Sequence, residues 1–353
     1  MVDGTALKTL KTNKKRKSNF MKTLTHKIKF GIVGCGMIAN VHAKAISEIA
    51  EAELVGASDN SYDYALKFAQ KWGIRAFNDY NELLSDKEID VVCVCTPSCF
   101  HAQNSIDALN SGKHVVLEKP MAITVEDTDK IIETCAKTGK LLTVISQLRF
   151  SKDILKIKKL IEEGAFGKIT LCSLDMKYYR SPEYYSSSPW KGTLKFDGGG
   201  ALMNQGIHGI DLLEFIMGDI KTVKGKAKTL YHDIEVEDTA VAIVEFNNGA
   251  LGTITASSCA YPGFNRYITI CGSNGYVILS ENKILKLEIK GLATEINTVG
   301  DLGGSNDPTK VNSEYHKLQL ENLLSAIKGE GKLLIDCYEG KKAVKIIENI
   351  YKG

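Results

Sequence analysis

The sequence predicts an α/β chain. A doubly wound parallel sheet occupies about residues 26–148, and a C-terminal α+β region with a large, open, mostly antiparallel sheet follows it. Three observations predict this. From Ile28 short β-branched runs alternate with segments of helical period; a Gly-x-Gly-x-x-Ala sequence sits at the first strand-to-helix junction; and beyond Arg149 strand-like runs follow one another with Asn-Gly turns between them.

The alternating runs are IKFGIV, AELVGAS, VVCVCT, HVVLEK and LLTVIS, separated by VHAKAISEIA, YDYALKFAQKWG, AQNSIDALNSG and VEDTDKIIETCAKTG. Strands that alternate with helices pair in parallel through right-handed crossovers, which bury both sheet faces. After Arg149 a helix over about 152–162 ends at Gly164. The runs ITLCSLDMKYY, VKGKAKTLY, TAVAIVEF, ALGTITASS, RYITICG and YVILS come next, with one helix near 201–217 among them. Asn248-Gly249 and Ser273-Asn274-Gly275 read as hairpin turns. Residues 291–312 read as a loop, and helices over about 313–328 and 337–351 close the chain. The division that follows is a disordered basic tail over 1–25, a dinucleotide-binding domain over 26–148, a second domain over 149–335 and a terminal helix over 336–353.

Of 353 residues, 44% are apolar and 25% are charged, a composition that supports a buried core and excludes collagen-like or broadly disordered chains. Every apolar run meets a charge well before the ~20 residues a membrane span requires. The net charge of +3 is misleading, because residues 1–29 hold nine Lys or Arg and one acid. The rest of the chain is at −5. Nucleic acid is therefore not an expected partner of the body, and the leader lacks the apolar core of a secretory signal. Nine scattered cysteines read as reduced thiols in a cytoplasmic protein. Cys93 and Cys95 alternate along one strand, so they read as small buried side chains, and no metal site is expected.

Gly34, Gly36 and Ala39 form the Gly-x-Gly-x-x-Ala turn together with Met37 and Ile38. The first glycine permits the tight turn, the second admits a pyrophosphate close to the backbone, and the alanine keeps helix and sheet close. The second strand ends at Asp59-Asn60, where an acid can accept hydrogen bonds from ribose hydroxyls and repels a 2′-phosphate. NAD is favoured over NADP. Thr96-Pro97, with His101 after it, and Glu118-Lys119-Pro120 stand at the carboxyl ends of the next strands, where ligands sit in open α/β sheets.

These motifs, together with LRF near 149 and GGGALMNQGIHGIDLL over 198–213, occur in an order that resembles the Gfo/Idh/MocA oxidoreductases, a family that includes glucose–fructose oxidoreductase and inositol dehydrogenases. The resemblance covers about residues 28–351. It implies a Rossmann domain joined to a domain whose sheet floors the substrate site and forms a homodimer or homotetramer surface. It also implies a catalytic Lys119 and His208, the lysine contacting the nicotinamide ribose as well, with substrate contacts from Arg149, Tyr179, Asn204 and Asp211; a structural ion pair is the alternative reading of Arg149. Glu118, Gln147 and Trp190 are implied to join the glycine turn, Asp59, Asn60, Thr96, Pro97 and His101 around the cofactor. Many members carry Asp four residues ahead of the histidine, where this chain has Asn204. A neutral amide can hydrogen-bond but cannot stabilise an imidazolium, which shifts weight to Lys119 as the proton acceptor or as the polarising cation.

The segment from YYRSPEYYSSSPWKGT to the histidine is most similar to the nucleotide-sugar branch, UDP-N-acetylglucosaminuronate 3-dehydrogenases. The implied activity is oxidation of a secondary hydroxyl of a sugar, nucleotide-sugar or cyclitol. A free-sugar or inositol dehydrogenase, an NAD-binding regulator without turnover and an NAD-dependent glycosidase are the competing readings. His42 and His114 read as structural, and His316 as a side chain near the site entrance.

Overall fold

The structure is a computed structural model, and it describes residues 27–188, 190–297 and 312–353. The expected basic tail over 1–25 and most of the expected loop over 291–312 lie outside the described residues.

The first sheet contains β1 (Ile28–Val33), β2 (Ala52–Ser58), β3 (Arg75–Ala76), β4 (Val91–Val94), β5 (His114–Leu117) and β6 (Leu142–Val144), in the order β3-β2-β1-β4-β5-β6 with every pair parallel. Its strands are nearly continuous apolar runs because helices cover both faces. All four residues of β4 are buried, and Cys93 and Cys95 face the same core as Phe30 and Ile32. The order reverses between β1 and β4, so the carboxyl ends of these two strands open the crevice in which doubly wound folds bind ligands.

The second sheet contains β7 (Ile169–Lys177), β8 (Ile220–Lys228), β9 (Thr239–Phe246), β10 (Leu251–Ser257), β11 (Tyr267–Gly272), β12 (Gly275–Ser280), β13 (Lys283–Ile289) and β14 (Glu295–Ile296), in the order β14-β13-β12-β11-β7-β10-β9-β8. Only β7 and β10 pair in parallel. The hairpins at Asn248-Gly249 and Ser273-Asn274-Gly275 join antiparallel neighbours, and Gly249 adopts φ +84°, the left-handed conformation such turns demand. Strand β13 has no counterpart in the sequence reading, because the alternation of KILKLEI breaks at Ile284-Leu285, where the pairing with β12 slips by one residue; β14 falls in the stretch read as a loop.

Two further features depart from the sequence reading. The helix expected near 201–217 begins as a π-helix over Ala201–Gly206 and becomes α-helical only over Ile207–Met217. The helices Glu314–Ile327 and Cys337–Lys352 return to the first domain: Leu320, Leu323 and Leu324 enter the core around Phe30 and Ala39, and Gly340 lies so close to Val144 that a Cβ there would sit 2.3 Å from its Cγ2. The chain thus returns to the first sheet after building the second.

Candidate active site

Gly34 has φ +90°, and a Cβ there would stand 2.7 Å from the Cys95 carbonyl oxygen, so the turn requires glycine both for its conformation and for its closeness to the end of β4. Gly36 differs: an added Cβ would meet nothing within 4 Å. The helix Met37–Ser47 that it opens has no side-chain cap and no acid in its first turn, while Ala39 is wholly buried against the sheet. Uncapped amides facing open space suit the pyrophosphate of a dinucleotide. Asp59 is held at the rim, where its carboxylate accepts from the Cys35 amide at 2.8 Å and the Ser61 amide at 3.0 Å. Asn60 and Met37 are exposed beside it, and Ile38 is half-buried. These residues fit NAD.

Thr96 and Pro97 are half-buried at the end of β4, with the Thr96 hydroxyl donating to Asn104. His101 does not face the crevice. It is 1% exposed, and its ring nitrogens lie 2.7 Å from the Pro120 carbonyl and 2.9 Å from the Thr96 carbonyl, so it ties the two strand-end loops together. Gln147 is buried, and its Oε1 is an acceptor without a partner among the described residues; Trp190 is half-buried.

Lys119 and His208 line one small cavity with Met121, Ser146, Ile207 and Asp211. Lys119 Nζ donates to the Asn204 carbonyl at 3.1 Å and has no carboxylate within ion-pair distance among the described residues. Burial lowers its pKa, opposed by the charges of Glu118 and Asp197 and assisted by Arg180. Burial, then the positive charges of Lys119 and Arg266, drive His208 well below the usual imidazole range, so it is neutral at neutral pH. Its ring nitrogens have no hydrogen-bond partner among the described residues.

Glu118 turns away from the crevice. Its Oε1 lies 2.8 Å from His42 Nε2 and 3.9 Å from His316 Nε2, and its Oε2 accepts from the Lys119 amide. Burial alone would raise this carboxyl, but the His42 hydrogen bond and the neighbouring positive groups hold it down to about 2. His42 and His316, whose rings meet edge-on at 5.3 Å, therefore belong to a buried layer directly behind Lys119. The sequence could not reveal this, since the three residues are far apart in the chain.

Arg149 and Asp211, both expected at the substrate, are bound to each other, and Asp211 also lines the cavity beside Lys119 and His208. Arg149 is 1% exposed; its Nε and Nη2 reach Asp211 at 3.0 and 2.8 Å, its Nη1 reaches Glu339 at 2.6 Å, and Glu214 stands 3.7 Å away. Asp211 also accepts from the Ser146 hydroxyl. The arginine clamps the helix Ile207–Met217 to the terminal helix. Breaking such a buried network leaves uncompensated carboxylates, which costs about 3–5 kcal/mol. Arg149→Met is expected to lose stability on that scale in denaturant unfolding; unchanged unfolding with lost turnover would return Arg149 to the substrate. Of the tyrosines, Tyr178 and Tyr185 are buried, with Tyr185 donating to Ser258, while Tyr179 is half-buried and meets Tyr261 edge-on.

Asp197, absent from the sequence reading, completes the site. It lies in the short helix Leu194–Asp197, is 4% exposed, and accepts from the Gly192 amide at 2.7 Å and from Asn204 Nδ2 at 3.2 Å. The three glycines after it are forced by packing: Cβ atoms at Gly199 and Gly200 would stand 2.2 Å from the Tyr351 hydroxyl and 2.0 Å from the Glu237 carbonyl. Glu237 in turn accepts from the amides of Gly200 and Leu202, which anchors the start of the π-helix that carries Asn204 toward Lys119. An acid placed directly before three glycines was the available signal.

The family model for oxidoreductases with an NAD-binding Rossmann fold matches residues 28–146, and the model for the GFO/IDH/MocA C-terminal domain matches residues 154–278. A myo-inositol 2-dehydrogenase from Thermotoga maritima is 30% identical over 259 residues, 71% of this chain and 74% of that protein. The chain belongs to the Gfo/Idh/MocA family. Among solved structures, the WlbA dehydrogenase from Bordetella pertussis, in complex with NADH and UDP-GlcNAcA, superposes with a TM-score of 0.84 at 31% identity, over 93% of this chain and 96% of that one. The WlbA dehydrogenase from Chromobacterium violaceum, with the same two ligands, gives 0.83 at 32% identity and 93% of both chains.

Proposed function

We infer that the chain is an NAD-dependent dehydrogenase of a secondary sugar or cyclitol hydroxyl, and we propose that its substrate is a UDP-linked N-acetylated uronic acid oxidised at C3. The observation that carries the activity is the convergence on one cavity, at the carboxyl ends of the parallel strands, of a half-buried Lys119 without an ion-pair partner and a neutral His208 without a hydrogen-bond partner among the described residues. Two similar enzymes solved with NADH and UDP-GlcNAcA match nearly the whole chain, which supports the substrate. NAD, when bound, accepts the hydride. Lys119 Nζ takes the hydroxyl proton, and burial, which lowers its pKa, favours the neutral amine that this step needs. His208 remains neutral and hydrogen-bonds the same oxygen, so one of its ring nitrogens orients the carbinol without competing for the proton. Asp59 selects the unphosphorylated ribose.

The experiment that tests this reading is reduction of NAD by the purified protein in the presence of UDP-N-acetylglucosaminuronate, with myo-inositol as the alternative substrate.

The oligomer belongs to the same reading. On one face of the second sheet Leu171, Val241, Ile243 and Leu251 are each more than half exposed, and Leu251 sits directly beside Leu171 in the β10–β7 register. An apolar stripe of this kind calls for a covering surface, and a second copy of the chain, related by a two-fold axis, supplies one. Ile243→Lys is expected to shift the sedimentation of the protein toward the monomer with its circular dichroism unchanged; unchanged sedimentation would remove this face from the assembly. Among the described residues no helix is long and apolar enough to cross a membrane. Nine thiols without a disulfide among them fit the reducing cytoplasm.

A further inference from the structure

Four residues before His208 stands Asn204, a neutral amide that brings no charge of its own to Lys119. The fold brings a carboxylate to the amide from a different element. Asp197 Oδ1 accepts from Asn204 Nδ2 at 3.2 Å, while its Oδ2 is tied to the Gly192 amide at 2.7 Å. An ionised carboxylate only accepts, so it fixes which end of the amide faces it. Nδ2 points to Asp197, and Oδ1, which has no partner among the described residues, is left as an acceptor. The backbone carbonyl of the same residue receives Lys119 Nζ at 3.1 Å. One residue therefore bridges the buried carboxylate and the lysine ammonium.

We propose that Asp197 is a positioning residue for the reaction: it holds Asn204 with Oδ1 presented to a substrate hydroxyl, and it supplies Lys119 with the negative charge that Asn204 lacks. The proposal rests on the dehydrogenase reading. Lys119 faces Glu118 from its own strand end, Asp197 from the helix before the glycines, Arg180 from the segment after β7 and His208 from the helix after the π-turn. Asp197 in addition faces Lys191 and Cys99. Glu118 is committed to His42 and to the Lys119 amide, which leaves Asp197 as the carboxylate joined through Asn204 to the lysine head group. Burial raises the Asp197 carboxyl, whereas the Gly192 amide, Asn204 and Lys119 act to keep it ionised.

The test uses competitive labelling of Lys119 with an amine-acylating reagent across pH, read by mass spectrometry on the whole protein without substrate. Asp197→Asn removes a negative charge that favours the ammonium, so the Lys119 pKa is expected to fall by about one pH unit. Asn204→Asp is expected to raise it, and the exchange Asp197→Asn with Asn204→Asp to return it near the native value. In turnover each single change is expected to lower kcat about tenfold and the exchange to recover most of that loss, the non-additivity that marks a direct pair. The acid limb of kcat/KM moves with the labelling pKa, to lower pH in D197N. Should D197N fail to fold, N204D carries the test, because it leaves the Asp197 contact to Gly192 in place. A labelling pKa unmoved in both single variants would overturn the assignment. A native protein that ignores the nucleotide sugar while the labelling pKa still shifts would sink the substrate reading and leave the role of Asp197 in place.

Discussion

Lys119→Ala is expected to lower kcat by about a thousandfold with NAD affinity changed little, within the 10²–10⁴ range typical of a positioned general base. The expectation follows from the surroundings of the lysine. Its Nζ donates to a backbone carbonyl, it has no ion-pair partner among the described residues, and burial lowers its pKa, which favours the neutral amine a base requires. His208 cannot replace it, because an imidazole held well below its usual range is a poor proton acceptor at neutral pH. Rapid-quench measurement of the hydride-transfer step in K119A, beside cofactor titration, separates the two effects. Near-native turnover with NAD bound would move the base to His208.

The second large effect concerns the glycine turn, where the two glycines are predicted to fail differently. Gly34→Ala places a Cβ against the Cys95 carbonyl in a left-handed conformation that costs about 1–2 kcal/mol by itself, so both stability and NAD binding are expected to drop. Gly36→Ala has open space around its Cβ, so unfolding is expected to be unchanged while NAD affinity falls at least tenfold, about 1.4 kcal/mol, because that space is where the pyrophosphate would lie. Cofactor titration and denaturant unfolding of both variants check this. Equal NAD affinity in G36A and the native protein would remove the pyrophosphate from this turn.

The parts of the fold that were legible from residues alone are those carried by local pattern. The parallel strands read correctly because burial on both faces leaves uninterrupted apolar runs such as VVCV, and the β9–β10 hairpin read correctly because Asn248-Gly249 can only turn. Strand β13 is obscured by the bulge at Ile284-Leu285, which breaks its alternation, and the π-helix has no signature separating it from a helical start. At the site, the glycine turn and Lys119 were visible as motifs. What sequence order could not show is which side chains neutralise one another. For Arg149 a substrate contact and a structural ion pair are equally compatible with the sequence, and only the positions of Asp211 and Glu339 favour the second; Asp197 gains a role only through its contact with Asn204. His42 and His316 follow the same logic, since each acquires its place only through Glu118.

The most direct test of the account is single-turnover reduction of bound NAD, followed by nicotinamide absorbance after mixing the protein with UDP-N-acetylglucosaminuronate, and separately with myo-inositol, in the native protein and in K119A. The account predicts rapid reduction by the nucleotide sugar, none by the cyclitol, and loss of the signal in K119A. Reduction by myo-inositol with no response to the nucleotide sugar would contradict it.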